Sequence, residues 1–376
     1  MRTVLVAGGL LLLMQATNPD GSLRPGRPVT RLFSQDPYTE YQILEPGSES
    51  FRIRYLPETG PGSTELLNAT RGGSEGSGLE VYDPRTGKPL KFTYEPLPND
   101  PETHQIRATL PMKVPEGGIG RVLIYKTYKD PRTYTMSGNN IVWVRSLAGY
   151  RLGVVLPKGY AFTSSDIAAQ VTTTADGRLK LAFANPSGQA NPLTIHAHPT
   201  TATFAPSSFE DMFFDDVKTL YDLDAPQTGR IMVEQTYSDY RKGERARLDS
   251  LAYLPLENLK VIDLDTAREL TPKKQGGATY VGLDEPIVDD KQSAHLKITG
   301  TLRASGYTLV RDELVFQRTV KGLRNTIVLP AGWEVSGVSQ SATLGTDRSG
   351  RAFVALVNLN AENSYRVTIR GTRSAR

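Results

Sequence analysis

Residues 140–185 read NIVWVRSLAGYRLGVVLPKGYAFTSSDIAAQVTTTADGRLKLAFAN, and residues 313–358 read ELVFQRTVKGLRNTIVLPAGWEVSGVSQSATLGTDRSGRAFVALVN. The two stretches align without a gap at a constant offset of 173, and 14 of the 46 pairs are identical. Val154 to Tyr160 (VVLPKGY) forms the centre of one, and Ile327 to Trp333 (IVLPAGW) the centre of the other. Arg145 falls on Arg318, Gly149 on Gly322 and Arg151 on Arg324. Further upstream, LEVYDPRTGKPL (Leu79 to Leu90) resembles LKVIDLDTAREL (Leu259 to Leu270) at an offset of 180. Solenoid repeats run about 20–50 residues, so a period this long implies two tandem copies of a domain. The copies are expected over 35–200 and 228–376, joined by a connector over 201–227.

Within each copy the apolar residues alternate. Phe51, Ile53 and Tyr55 are separated by Arg52 and Arg54, the pattern of a half-buried strand. Ile141, Trp143 and Leu147 share one face, as do Leu314, Phe316 and Val320 in the second copy. Turn chemistries such as Asp83-Pro84, Asp176-Gly177 and Ser349-Gly350 punctuate these runs. Short strands at this spacing predict an all-β chain of two antiparallel β-sandwich domains. The pattern resembles that of immunoglobulin-like sandwiches. One helix is predicted in the connector: Ser207 or Ser208 would cap it, Glu210 and Asp211 would face its positive end, and Phe209, Phe213, Val217 and Leu220 would form its apolar stripe.

The composition narrows the function class. In 376 residues there are 44 basic and 40 acidic side chains, a net charge of +4, too small and dispersed to argue for nucleic acid. Cysteine is absent, which removes disulfides, thiolate metal sites and a cysteine nucleophile. Thr3 to Met14 (TVLVAGGLLLLM) follows a basic Met1-Arg2 and is too short for a membrane span, which needs about 20 apolar residues. It is expected to be a signal peptide over 1–16 with Ala16 at the cleavage point, followed by a linker over 17–34. The mature chain would then be periplasmic or secreted and carry no transmembrane segment.

Five features bear on chemistry. Trp143 lies opposite Phe316 in the repeat and Trp333 opposite Tyr160, so an aromatic occupies both positions twice. Such residues anchor a core when inward and stack on sugars when exposed. Arg145 and Arg318 share the apolar strand face with those aromatics, where a guanidinium requires an ion pair, a ring or a bound anion. His196 and His198, at i and i+2, put both rings on one strand face and could hold a zinc or copper ion. Asp83 and Asp263 recur in the two copies as turn residues. The acidic run from Glu210 to Asp224 lacks a closing calcium loop and is expected on a solvated helix face. The glycine cluster Gly72 to Gly78 lacks a following helix pattern and is expected to be a flexible loop, and no SxxK pair or GxxxxGK(S/T) phosphate loop occurs.

The expectation is a non-enzymatic exported protein, a structural, binding or adhesion module with a protein or glycan partner at the cell envelope and no cofactor. The competing readings are a carbohydrate-binding module, and a hydrolase or metal-binding accessory domain using acids or His196 and His198.

Overall fold

The computed structural model describes residues 38–376, apart from 71, 73, 148–150, 186–190, 208–215, 304–305, 359–363 and 375–376. Strands dominate, and the helical segments among the described residues are two short 3₁₀ turns, Pro226–Thr228 and Asp249–Ala252. No helix among them is long and apolar enough to cross a membrane.

The N-terminal half is built on one seven-stranded sheet. Its order is Gln170–Thr173, Leu179–Ala184, Arg151–Val155, Tyr38–Ile43, Ser50–Leu56, Leu123–Lys129 and Glu75–Tyr82. Alternation along Ser50–Leu56 turns Phe51 and Ile53 inward, and on the neighbouring strand Ile124, Lys126 and Tyr128 point the same way. Two smaller sheets cover this one face. A four-stranded sheet (Tyr134–Ser137, Asn140–Leu147, Asn191–Pro199, Tyr160–Ser165) closes a core containing Tyr41, Phe51, Trp143, Leu181 and Ile195. A three-stranded sheet (Glu65–Ala69, Asp100–Thr109, Phe92–Leu97) closes a second core on Leu66, Val81, Ile106 and Ile124. Each half is thus a long sheet under two sandwiches, with a seam between the cores.

The C-terminal half repeats this strand order. Thr343–Thr346, Ala352–Val357, Arg324–Val328, Lys218–Leu223, Arg230–Asp239, Ala294–Arg303 and Glu257–Asp263 follow one another in the same sequence, and Arg268–Leu270 adds an eighth strand at the edge. Four- and three-stranded sheets again cover it, over cores around Phe316 and Trp333 and around Val261 and Leu296. Even an irregularity recurs. The bulge between Ser77 and Glu80 matches that between Glu257 and Lys260, and left-handed residues occupy both, Gly78 at φ 57° and Asn258 at φ 52°.

Two expectations are corrected. The pairing is not wholly antiparallel: Tyr38–Ile43 runs parallel to Arg151–Val155, and Lys218–Leu223 parallel to Arg324–Val328. A parallel pair needs a long crossover, and the hundred or so residues between those strands supply it. The connector helix is not formed where it is described. Its start, including Phe209 and Phe213, lies outside the described residues, but Leu220 sits on strand Lys218–Leu223, so the second half begins ahead of residue 228. Thr219, Tyr221 and Leu223 are buried there in alternation. A segment carrying both periods takes the one its partners satisfy, and strands wait on both sides. Asp222 of the acidic run is accordingly fixed by Arg351, 2.7 Å away.

The halves dock through buried polar and small apolar groups. Arg121 forms a two-pronged ion pair with Asp265, Nε to Oδ1 at 2.8 Å and Nη2 to Oδ2 at 2.6 Å. It also donates to the Ser293 carbonyl, and the Ser293 amide donates to the Pro84 carbonyl at 2.8 Å. Ile119 N–H donates to the Leu264 carbonyl, and Ala182 packs on Leu323.

Candidate functional site

Inward pointing of Tyr41, Ile43, Phe51 and Ile53 forces Glu40, Gln42, Arg52 and Arg54 onto the outer face of the first long sheet. The second half stands over part of that face and leaves a cleft of about 1150 Å³. Its walls hold seven basic and six acidic side chains with Tyr125, Tyr237, Tyr240 and Tyr253. Many of the charges are paired within one wall or the other. Lys180 Nζ meets Glu40 Oε2 at 2.6 Å, and Arg241 reaches both Asp239 and Asp249. Burial pulls the Glu40 carboxyl up, but Lys180 outweighs it and holds the group below its usual range. Burial, reinforced by Asp216, raises the Tyr240 phenol.

A second cavity, about 480 Å³, opens at the seam between the two sandwiches of the N-terminal half. Lys126 reaches it from the long sheet, Arg145 from the four-stranded sheet and Asn68 from the three-stranded sheet. Lys126 is almost wholly buried, and its Nζ donates to Asn68 Oδ1 at 2.6 Å. Arg145 Nε donates to Tyr41 Oη at 3.0 Å, and its guanidinium lies 5.0 Å from the Tyr41 ring and 5.6 Å from that of Phe51. Its Nη1 is buried with no hydrogen-bond partner.

The matching place in the second half is shut. Gly300 takes the position of Lys126, and a Cβ there would stand 2.8 Å from the Glu257 carbonyl and 2.9 Å from Leu256 Cβ. The segment around Tyr253 fills the seam, and its carbonyl accepts Arg318 Nη2 at 2.7 Å. Gly300→Ala is therefore expected to lose about 1–3 kcal/mol of stability from overpacking. Urea denaturation checks this, and an unchanged midpoint would contradict the close fit.

The residues singled out from sequence separate sharply. Trp143 is fully buried and Trp333 nearly so, both within cores, so neither ring is offered to a sugar. Arg145 lines the seam cavity, whereas Arg318 is held by a backbone carbonyl. His196 and His198 are exposed on Asn191–Pro199, and His198 Nδ1 is 2.8 Å from Thr163 Oγ1. Among the described residues no group of three or more His, Cys, Asp or Glu is placed to hold a metal ion. Asp83 is a turn residue, accepting from Arg85 N–H and Thr86 Oγ1.

Sequence reading did not single out Lys126 or the cleft. A signal for Lys126 was present: Val122, Ile124 and Tyr128 share a face, and a lysine in phase with them must be inward. The cleft had none, because its walls come from halves far apart in the chain.

No protein-family model matches the chain, and no curated protein does either. Among solved structures, a two-domain M1 zinc metallopeptidase bound to L-tryptophan is similar at 13% identity and a TM-score of 0.31. The similarity covers 44% of this chain and 42% of that one, less than half of either. A likeness of that size carries no argument about function.

Proposed function

We propose that this chain is a non-catalytic, exported binding module that receives a polypeptide segment of a cell-envelope partner in the cleft between its halves. The cleft is the observation that carries this reading. Its seven basic and six acidic side chains are near balance and interleaved with four tyrosines. Such a wall complements a mixed-charge, hydrogen-bonding chain better than a polyanion, since charge complementarity sets partner choice. Tyrosine adds contact area at low entropic cost. Duplication of an ancestral domain accounts for the shared strand order, and docking of the two copies creates a surface that neither has alone. Export rests on the apolar run Thr3 to Met14.

A photo-crosslinking residue at Tyr125 in the cleft, compared with one at exposed Val310, which does not line it, tests the reading in cells expressing the full chain. Tyr125 is expected to capture a discrete protein from the extracytoplasmic fraction, and Val310 is not. Equal yields from both positions would remove the cleft as the site. Capture of glycan alone would favour the carbohydrate-binding reading, and recovery of the chain in the cytosol would end the export reading.

A further inference from the structure

We propose that the seam cavity of the N-terminal half is a binding site for a small oxyanion, a molecule bearing a phosphate, sulfate or carboxylate group, held between Lys126 and Arg145. This site is separate from the cleft and does not depend on its role.

Four observations converge. Three cations line one cavity, Lys126 and Arg151 from the long sheet and Arg145 from the four-stranded sheet, and no Asp or Glu is among its described lining residues. An ammonium taken out of water without a counter-charge costs several kcal/mol, so a fold has reason to expel it. Lys126 is nevertheless inside, with one neutral amide oxygen from Asn68 as its recorded hydrogen-bond acceptor. Arg145 turns one edge to Tyr41 and leaves Nη1 buried and unpartnered. Both groups keep donor capacity that the protein itself does not use.

The second half shows that the fold does not require this arrangement. With the same strand order it replaces the lysine by Gly300, fills the seam with the chain from Tyr253 to Leu256, and gives Arg318 Nη2, though not its Nε, a hydrogen-bond partner in the Tyr253 carbonyl. The link between Glu65–Ala69 and Glu75–Tyr82 is shorter than its counterpart between Gly243–Arg247 and Glu257–Asp263, and the space stays open. The cavity, about 480 Å³, has room for a small molecule. Tyr41, Tyr55 and Tyr128 supply aromatic walls, and Asn68 and Thr70 supply neutral polar groups.

Burial, with Arg145 adding to it, lowers the Lys126 ammonium to about 7. The groups lining the cavity with it are Asn68 and Thr70 from the three-stranded sheet side, Arg145 from the four-stranded sheet, and Tyr41, Tyr55, Tyr128 and Arg151 from the long sheet. None is an acid, so a bound anion would be the charge that restores the ammonium. Binding should then weaken as pH rises through 7. The sign for stability is opposite. Between pH 7 and 10.5 the unfolded chain holds a proton on Lys126 that the folded chain has lost, so stability rises with pH across that window.

Sulfate is a suitable probe because it keeps its charge throughout this range. Calorimetric titration of the whole chain is expected to show binding at pH 6 and affinity about 30-fold weaker at pH 8.5. Lys126→Met should abolish both the binding and its pH dependence while raising the thermal midpoint, because it removes a desolvated charge. Arg145→Gln should weaken sulfate binding with the circular dichroism spectrum retained. Glycerol 3-phosphate and succinate, used as competitors, distinguish a phosphate monoester from a carboxylate as the preferred group. Unchanged sulfate affinity in Lys126→Met, equal affinity at the two pH values, or a lower thermal midpoint in that variant would each overturn the proposal.

Discussion

Replacing Arg121 by methionine is expected to destabilise the protein by about 3–5 kcal/mol and to loosen one half from the other. The Arg121 side chain is 1% exposed and Asp265 is 11% exposed, so neither charge has water to fall back on. The planar guanidinium meets the carboxylate with two parallel bonds and spends its remaining donors on Ser293 Oγ and the Ser293 carbonyl. Removing it strands a buried carboxylate and two serine acceptors at once. Losing both charges is less harmful than losing one, so Arg121→Met with Asp265→Leu should recover most of the deficit. Urea denaturation followed by the single tryptophan of each half, after the other is changed to phenylalanine, measures this and reports whether the halves still unfold together. A loss under about 1 kcal/mol in the single variant would mean that water solvates the pair.

Trp143→Ala should cost about as much, about 3–5 kcal/mol, through the cavity it leaves. The indole is fully buried and packs against Tyr41 at 5.2 Å and Phe51 at 6.4 Å between ring centres. Those neighbours belong to the long sheet, so the residue ties the four-stranded sheet down. Trp143→Phe should be much milder, below about 1.5 kcal/mol, because Phe316 fills the matched place in the second half and Trp143 Nε1 has no hydrogen-bond partner to lose. Thermal and urea midpoints of the two variants provide the check. Equal losses would show that the indole shape, and not its bulk, matters.

The strand class was legible because burial imposes period 2 on the residues themselves. Phe51 and Ile53, or Leu179, Leu181 and Phe183, face one core and say so locally. Arg145 was legible as a candidate because a charge in phase with an apolar face conflicts with its setting. Whether that conflict ends in a cavity or on a carbonyl was not. The identical residue type at Arg318 meets the Tyr253 carbonyl, and the difference comes from the length of a connection in another sheet. Leu220 shows the reverse failure: its stripe fitted a helix, but strands on both sides claimed the segment.

By itself, then, the sequence determined that strands form and that two similar arrays of them follow one another. Each of these depends on spacing within a few residues or on one copy compared with the other. Only the tertiary structure decided that each array is a long sheet carrying two sandwiches, that Lys126 and Arg145 share one cavity, and that a charged cleft lies between the halves. Those features rest on contacts between residues as distant as Arg121 and Asp265, 144 positions apart. No local pattern encodes such contacts, because they form only when separately folded faces meet and their charges must find partners away from water.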